Sequence, residues 1–203
     1  SPGKAELNYR SRVMTPSTGD SSILQELGRQ IAAIGQLPVQ KEKADLWRRL
    51  NRLEKIRPLV WINEIPWNEM DVDGELTLRC RDPYARSVEN RMRMILYQWR
   101  HFAADMVVDP VWTVPYVCSP TSTYADYGIQ EESVSPEGTG SKQFLPVIHS
   151  EADVERIRTP AVTFDREETE RRFQTMSGIL AGIMKVEKRG LAHQWCSPWD
   201  QMI

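Results

Sequence analysis

The most constraining stretch of this chain runs from Lys41 to Trp67. Leu46, Trp47, Leu50 and Leu53 share one face of a helical pattern with arginines on the other, which predicts a helix from about Lys41 to Ile56. Arg57-Pro58 stops it, because a residue before proline is pushed out of the helical region. The chain then gives four apolar residues without interruption, Leu59, Val60, Trp61 and Ile62. So short and continuous a run predicts a strand buried on both faces, as in a parallel sheet. Asn63 and Glu64 follow at once, then Ile65, Pro66 and Trp67. An amide and a carboxylate at a strand end fit either a pocket or a turn that satisfies its own backbone.

The rest of the chain alternates in the same manner. Ile23, Leu24, Leu27, Ile31 and Ile34 predict a short helix over 23–36, ended by Gly35 and Pro38. Residues 68–82 alternate around Asp73-Gly74 and fit a small hairpin or an excursion. Asp82 is a natural N-cap with Pro83 in the first turn, opening a long helix whose buried stripe runs from Ala85 to Phe102. A second short apolar run, "ADMVVDPVW", follows and ends in Asp109-Pro110. Residues 119–147 read as a long connection with short strands such as "QFLPVI". Ser150 caps a short helix, Asp165 starts a longer one with Phe173, Met176, Ile179 and Leu180 inward, and "LAHQW" reads as a further strand. Strand–helix alternation of this kind predicts a parallel α/β domain. No glycine-rich phosphate loop follows any strand, so nucleotide binding has no motif behind it.

Composition narrows the classes. The net charge of −2 over 203 residues gives no basic excess for nucleic acid, and "WRRLNRLEKIR" is interrupted by Glu54 and reads as a solvated helix face. No apolar run reaches the ~18 residues of a membrane span. Three widely spaced cysteines make no disulfide framework and fit a reducing compartment, so a cytoplasmic protein is expected. Residues 1–22 are polar and aperiodic, and are expected to be a tag-like or disordered arm ahead of a helical segment over 23–56.

"RPLVWI" after an amphipathic helix resembles the first barrel strand of the uroporphyrinogen decarboxylase superfamily, and "ADMVVDPV" its second. "YGIQEESVSPEGTGSKQFLPVIHSEADVERI" is similar to the family's next connection, and "LAHQWCSPW" lies where the third strand would be. The resemblance covers roughly residues 41–203 and only the amino-terminal half of the family's length. It implies the amino-terminal part of a (β/α)₈ TIM-type barrel preceded by helices, with 57–203 as a barrel cut short. A complete barrel takes eight strands and roughly 250 residues. The expectation is therefore that the chain lacks the carboxyl-terminal half of the site, and whether it is an enzyme by itself is left open.

"WINEIPW" looks like the divergent branch associated with corrinoid-dependent methyl transfer. True decarboxylases carry an arginine-containing segment after the first strand, and here Asn63-Glu64-Ile65-Pro66-Trp67 stands in its place. Losing two guanidinium groups removes the charge complement of a polyanionic tetrapyrrole. The resemblance thus implies methyl transfer of the O-demethylation type to or from a corrinoid protein. The alternatives are uroporphyrinogen decarboxylation, with arginines supplied by Arg79, Arg81 or Arg86, and a non-catalytic module completed by a second chain.

Barrel chemistry sits at the carboxyl ends of the strands. On that placement Glu64 and Asp109 are the expected catalytic residues, with Asn63, Trp67, Trp112 and His193 binding substrate. Tryptophans at such positions also fit a core role. His193-x-x-Cys196 offers one nitrogen and one thiolate where zinc needs three or four ligands, so no metal site is assigned. Zinc and a corrinoid are implied for the complete protein only. The expected partners are a corrinoid protein or the missing barrel half and a small methylated substrate, with no nucleic acid and no membrane; a homo-oligomer is left open.

Overall fold

The computed structural model describes residues 16–71, 73–119, 128–129, 132–134, 143–159 and 161–190. Helix α1 spans Thr18–Gly35 and α2 Pro38–Asn51. A single 3₁₀ turn, Trp67–Glu69, precedes α3, Pro83–Phe102. Strands β1 (Val111–Pro115), β2 (Val117–Ser119), β3 (Glu132–Val134) and β4 (Gln143–Leu145) follow, then α4 (Glu151–Val154), β5 (Thr163–Asp165), α5 (Arg166–Ile179) and β6 (Lys185–Arg189). The chain therefore mixes helix and strand, but the described strands form three two-stranded sheets, β1-β6, β2-β5 and β3-β4. The last two are antiparallel, with Cys118 opposite Phe164 and Ser133 opposite Phe144.

Two compact units divide the chain, one built from residues 1–113 and 173–187, the other from 114–172 and 188–203. In the first unit α1 packs on α3. Leu24, Leu27 and Ile31 of α1 are buried, as are Ala85, Val88, Met92 and Leu96 of α3, with Met176, Ile179 and Leu180 in the same unit. Each of the leucine, isoleucine, valine and methionine side chains contributes roughly 1.5–3 kcal/mol of transfer free energy. Gly28 lets Leu180 come close: a Cβ there would lie 2.8 Å from Leu180 Cδ2.

Helix α1 begins at Thr18, inside the stretch expected to be an arm. Its first turn is polar and so lacks apolar periodicity, but Ser17 and Asp20 form a reciprocal capping box at 3.1 and 3.2 Å. Pro38, read as a stop signal, instead opens α2, where its missing N–H costs nothing. Helix α2 ends at Asn51, short of Ile56, and Leu53 follows in the left-handed region at φ 61°.

Neither expected barrel run is a strand. Leu59–Ile62 lies on a path, 54–66, free of helix, turn and bend, but other groups take its backbone partners. The Val60 N–H donates to Asp105 Oδ2 at 2.9 Å, and Ile62 O accepts from Gln98 Nε2 at 2.5 Å. The second run fares likewise: Asp105 O accepts from Trp47 Nε1 at 2.8 Å and the Val108 N–H donates to Gln40 Oε1 at 2.9 Å. Only one ladder-type bond joins the two, from Asp105 N to Val60 O at 3.0 Å. The strand starts later, at Val111. The 68–82 segment is an excursion rather than a hairpin, tied by the Asp71 carboxylate, which accepts from Leu76 N and Thr77 Oγ1, both at 2.9 Å.

In the second unit, Thr169 Oγ1 accepts from the Val117 N–H at 2.9 Å and donates to Asp165 O at 2.6 Å, joining β2 to the first turn of α5. Tyr116 meets Phe164 edge-to-face at 5.4 Å. Ser150 and Asp165 cap α4 and α5 as their positions predict. No described helix is long and apolar enough to cross a membrane.

Candidate functional site

Three of the four buried carboxylates among the described residues of the first unit gather distant backbone groups; the fourth, Asp82, caps α3. Asp20 accepts from Arg81 N at 2.8 Å, fixing the approach to α3. Glu89, fully buried, accepts from Arg79 N and Cys80 N at 2.9 and 2.7 Å and from Arg93 Nε at 2.8 Å. Burial pushes the Glu89 carboxyl up, but the two backbone donors and Arg93 outweigh it and hold the group below its ordinary range. Cys80 sits against this charge, and burial, then Glu89, pushes its thiol up to about 12. Asp105 is the third. Arg57, through hydrogen bonds to both oxygens, and then the Val60 N–H hold its pKa down at about 2.

The apolar path between Arg57 and Trp67 is thereby anchored at Val60 and Ile62, and Asn63 and Glu64 come next, both exposed. Among the described residues their side chains carry no hydrogen bond or ion pair. Trp67 is half-buried and meets Tyr97 of α3 edge-to-face, with centroids 6.1 Å apart. Asp109 is exposed, immediately before Pro110. Trp112 is 3% exposed, its ring covered by the Arg91 guanidinium at 4.6 Å, so it is packed in place and not open to a ligand. His193, with Cys196, lies outside the described residues.

Sequence reasoning missed a second cluster beside Trp67. His101, in the last turn of α3, lies tilted against Tyr97 with ring centroids 4.3 Å apart and meets Glu75 Oε1 through Nε2 at 2.9 Å. Arg100 pairs with the other oxygen of Glu75, and Arg93 Nη1 donates to its backbone carbonyl at 2.9 Å. His101 and then Arg100 hold the Glu75 carboxyl below its ordinary range. A sequence separation of 26 puts Glu75 and His101 beyond any local motif. Arg79, Arg81 and Arg86 cluster instead around Cys80, where Arg86 Nη1 donates to Cys80 O at 2.7 Å.

Among the described residues no three His, Cys, Asp or Glu side chains are grouped to hold a metal ion. These residues do not supply the zinc donor set that the resemblance implies for the complete protein. Compared with known proteins, the chain matches no family model, no curated protein and no solved structure.

Proposed function

We propose that this chain carries the first elements of a uroporphyrinogen-decarboxylase-like barrel, and that it serves methyl transfer between a small methylated substrate and a corrinoid protein. The observation that supports this reading is the direct bond from Asp105 N to Val60 O. It joins the two runs expected to be successive barrel strands at one point, between residues 45 apart. Glu64 and Asp109 lie four residues beyond Val60 and Asp105 respectively, so a barrel built on the two runs would carry both carboxylates at its strand ends. Trp67, half-buried beyond Glu64, supplies an apolar wall there.

In this reading the methyl group leaves its heteroatom without the bonding pair. That atom keeps the pair and takes a solvent proton relayed by Glu64, while the reduced corrinoid, held by the partner as co-substrate, supplies the electron pair that bonds the methyl group. Asn63 orients the substrate through its amide, and Asp109 accepts a hydrogen bond from it. The test is the full chain mixed with a reduced corrinoid protein and a methoxylated substrate, followed by the corrinoid absorbance. Methyl-dependent loss of the reduced form, lowered at least tenfold by Glu64→Gln, supports the reading. An unchanged spectrum removes it.

A further inference from the structure

The apolar run Leu59–Ile62 uses only one of its two backbone edges. Val60 directs both its N–H and its C=O at Asp105. On an extended path successive backbone groups point to opposite sides, so those of Leu59 and Trp61 face away from Asp105. Among the described residues neither of them makes a hydrogen bond. The side chains over this edge are apolar and open, Val60 52% and Trp61 43% exposed. Within the four residues no lysine, proline or bulge blunts the edge, the usual protection against strand addition.

Charge says what fits there. Residues 41–57, which lead into the run, hold seven basic and three acidic side chains in a chain of net charge −2. Arg48, Arg49 and Arg57 are each paired with a carboxylate. Arg52 and Lys55 are exposed and, among the described residues, form no ion pair. The stretch 57–66 offers one acidic residue, Glu64, to two such cations, so a second copy of the chain complements them poorly.

We propose that the Leu59–Trp61 edge is a docking site for an extended acidic segment of a partner protein, which adds to it as a β-strand. Main-chain bonds to Leu59 and Trp61 supply affinity, and acidic side chains against Arg52 and Lys55 set the register. The proposal does not need the methyl-transfer reading, in which a closing barrel strand would take the same edge, and binding is read without turnover.

The test is fluorescence anisotropy of the full chain with three labelled heptapeptides of alternating valine and threonine. One carries an aspartate and a glutamate at its amino end, the second carries them at its carboxyl end, and the third has the neutral amides. The expected result is that one acidic probe binds at least tenfold more tightly than the neutral one. Joint Arg52→Glu and Lys55→Glu substitution removes that advantage, and Trp61→Pro, which deletes an outward N–H, abolishes binding. Should Trp61→Pro lose helical circular dichroism, the charge reversal at two exposed positions decides alone. No binding of either acidic probe at millimolar protein, or an acidic preference that survives charge reversal, overturns the proposal. Dimerisation through the same edge, seen as a doubled mass that Trp61→Pro halves, overturns it in favour of a second copy.

Discussion

Asp105 grips Arg57 with both carboxylate oxygens, at 2.9 and 2.5 Å, across 48 residues of sequence. The same carboxylate takes the Val60 N–H, and the Asp105 backbone bonds Val60 O and Trp47 Nε1. One residue thus ties the end of α2, the apolar run and the segment before β1, and it decides where Asn63 and Glu64 begin.

Replacing Asp105 with Asn should cost about 2 kcal/mol, the scale of hydrogen bonds to a charged group, read as a lower urea midpoint. The pH dependence has a definite sign. The folded pKa of about 2 lies below the ordinary 3.8, so the carboxylate's stabilisation is complete above roughly pH 5 and is lost as pH falls from about 4 through 2. Asp105→Asn should flatten that acid limb relative to the parent chain.

Glu89→Ala leaves Arg93 and the Arg79 and Cys80 N–H groups without their acceptor inside the first unit. Removing one partner of a buried pair costs about 3–5 kcal/mol, so cooperative unfolding should shift strongly or disappear. Glu89→Gln keeps one acceptor oxygen and should lose less in the same denaturant titration.

Gly28→Ala places a methyl group 2.8 Å from Leu180 Cδ2. Helix propensity alone would make this substitution stabilising by up to about 1 kcal/mol. Overpacking of about 1–3 kcal/mol opposes it, and the net expectation is a lower Tm. A raised Tm would mean that Leu180 shifts freely.

Leu53 holds φ 61° while the residue is 93% exposed, so the position bears backbone strain and gains almost no burial. Leu53→Gly should raise stability by up to about 1 kcal/mol, measured by thermal denaturation, because glycine adopts this conformation without a Cβ clash.

Cys80, buried and with its thiol pushed up to about 12, should resist a thiol-specific reagent at pH 8 until the first unit unfolds. Of the two described cysteines, Cys118 is half-buried and should react before Cys80. Peptide mapping after brief labelling tells the two apart.

Local signals were enough for much of the helical framework. The apolar stripe from Ala85 to Leu96, the Asp82 cap with Pro83, and the Ser150 and Asp165 caps are all interactions within a few residues, and those elements stand where the sequence puts them. Trp67, Asn63, Glu64 and Asp109 were likewise legible as residue types at the ends of apolar runs. What they meet was not. Strand formation depends on a distant partner, and here Asp105, Gln40 and Gln98 occupy backbone groups that a ladder would have used. Helix α1 began earlier than its apolar spacing because a polar capping box has no periodicity. β6, "KVEKR", shows no apolar alternation and exists as a strand through pairing with β1. The Glu75–His101 pair is a tertiary product of the same kind. The sequence by itself determined the helices, whose hydrogen bonds close within four residues, while the strands, the carboxylate anchors and the surroundings of Trp67 were decided by contacts between residues far apart in the chain.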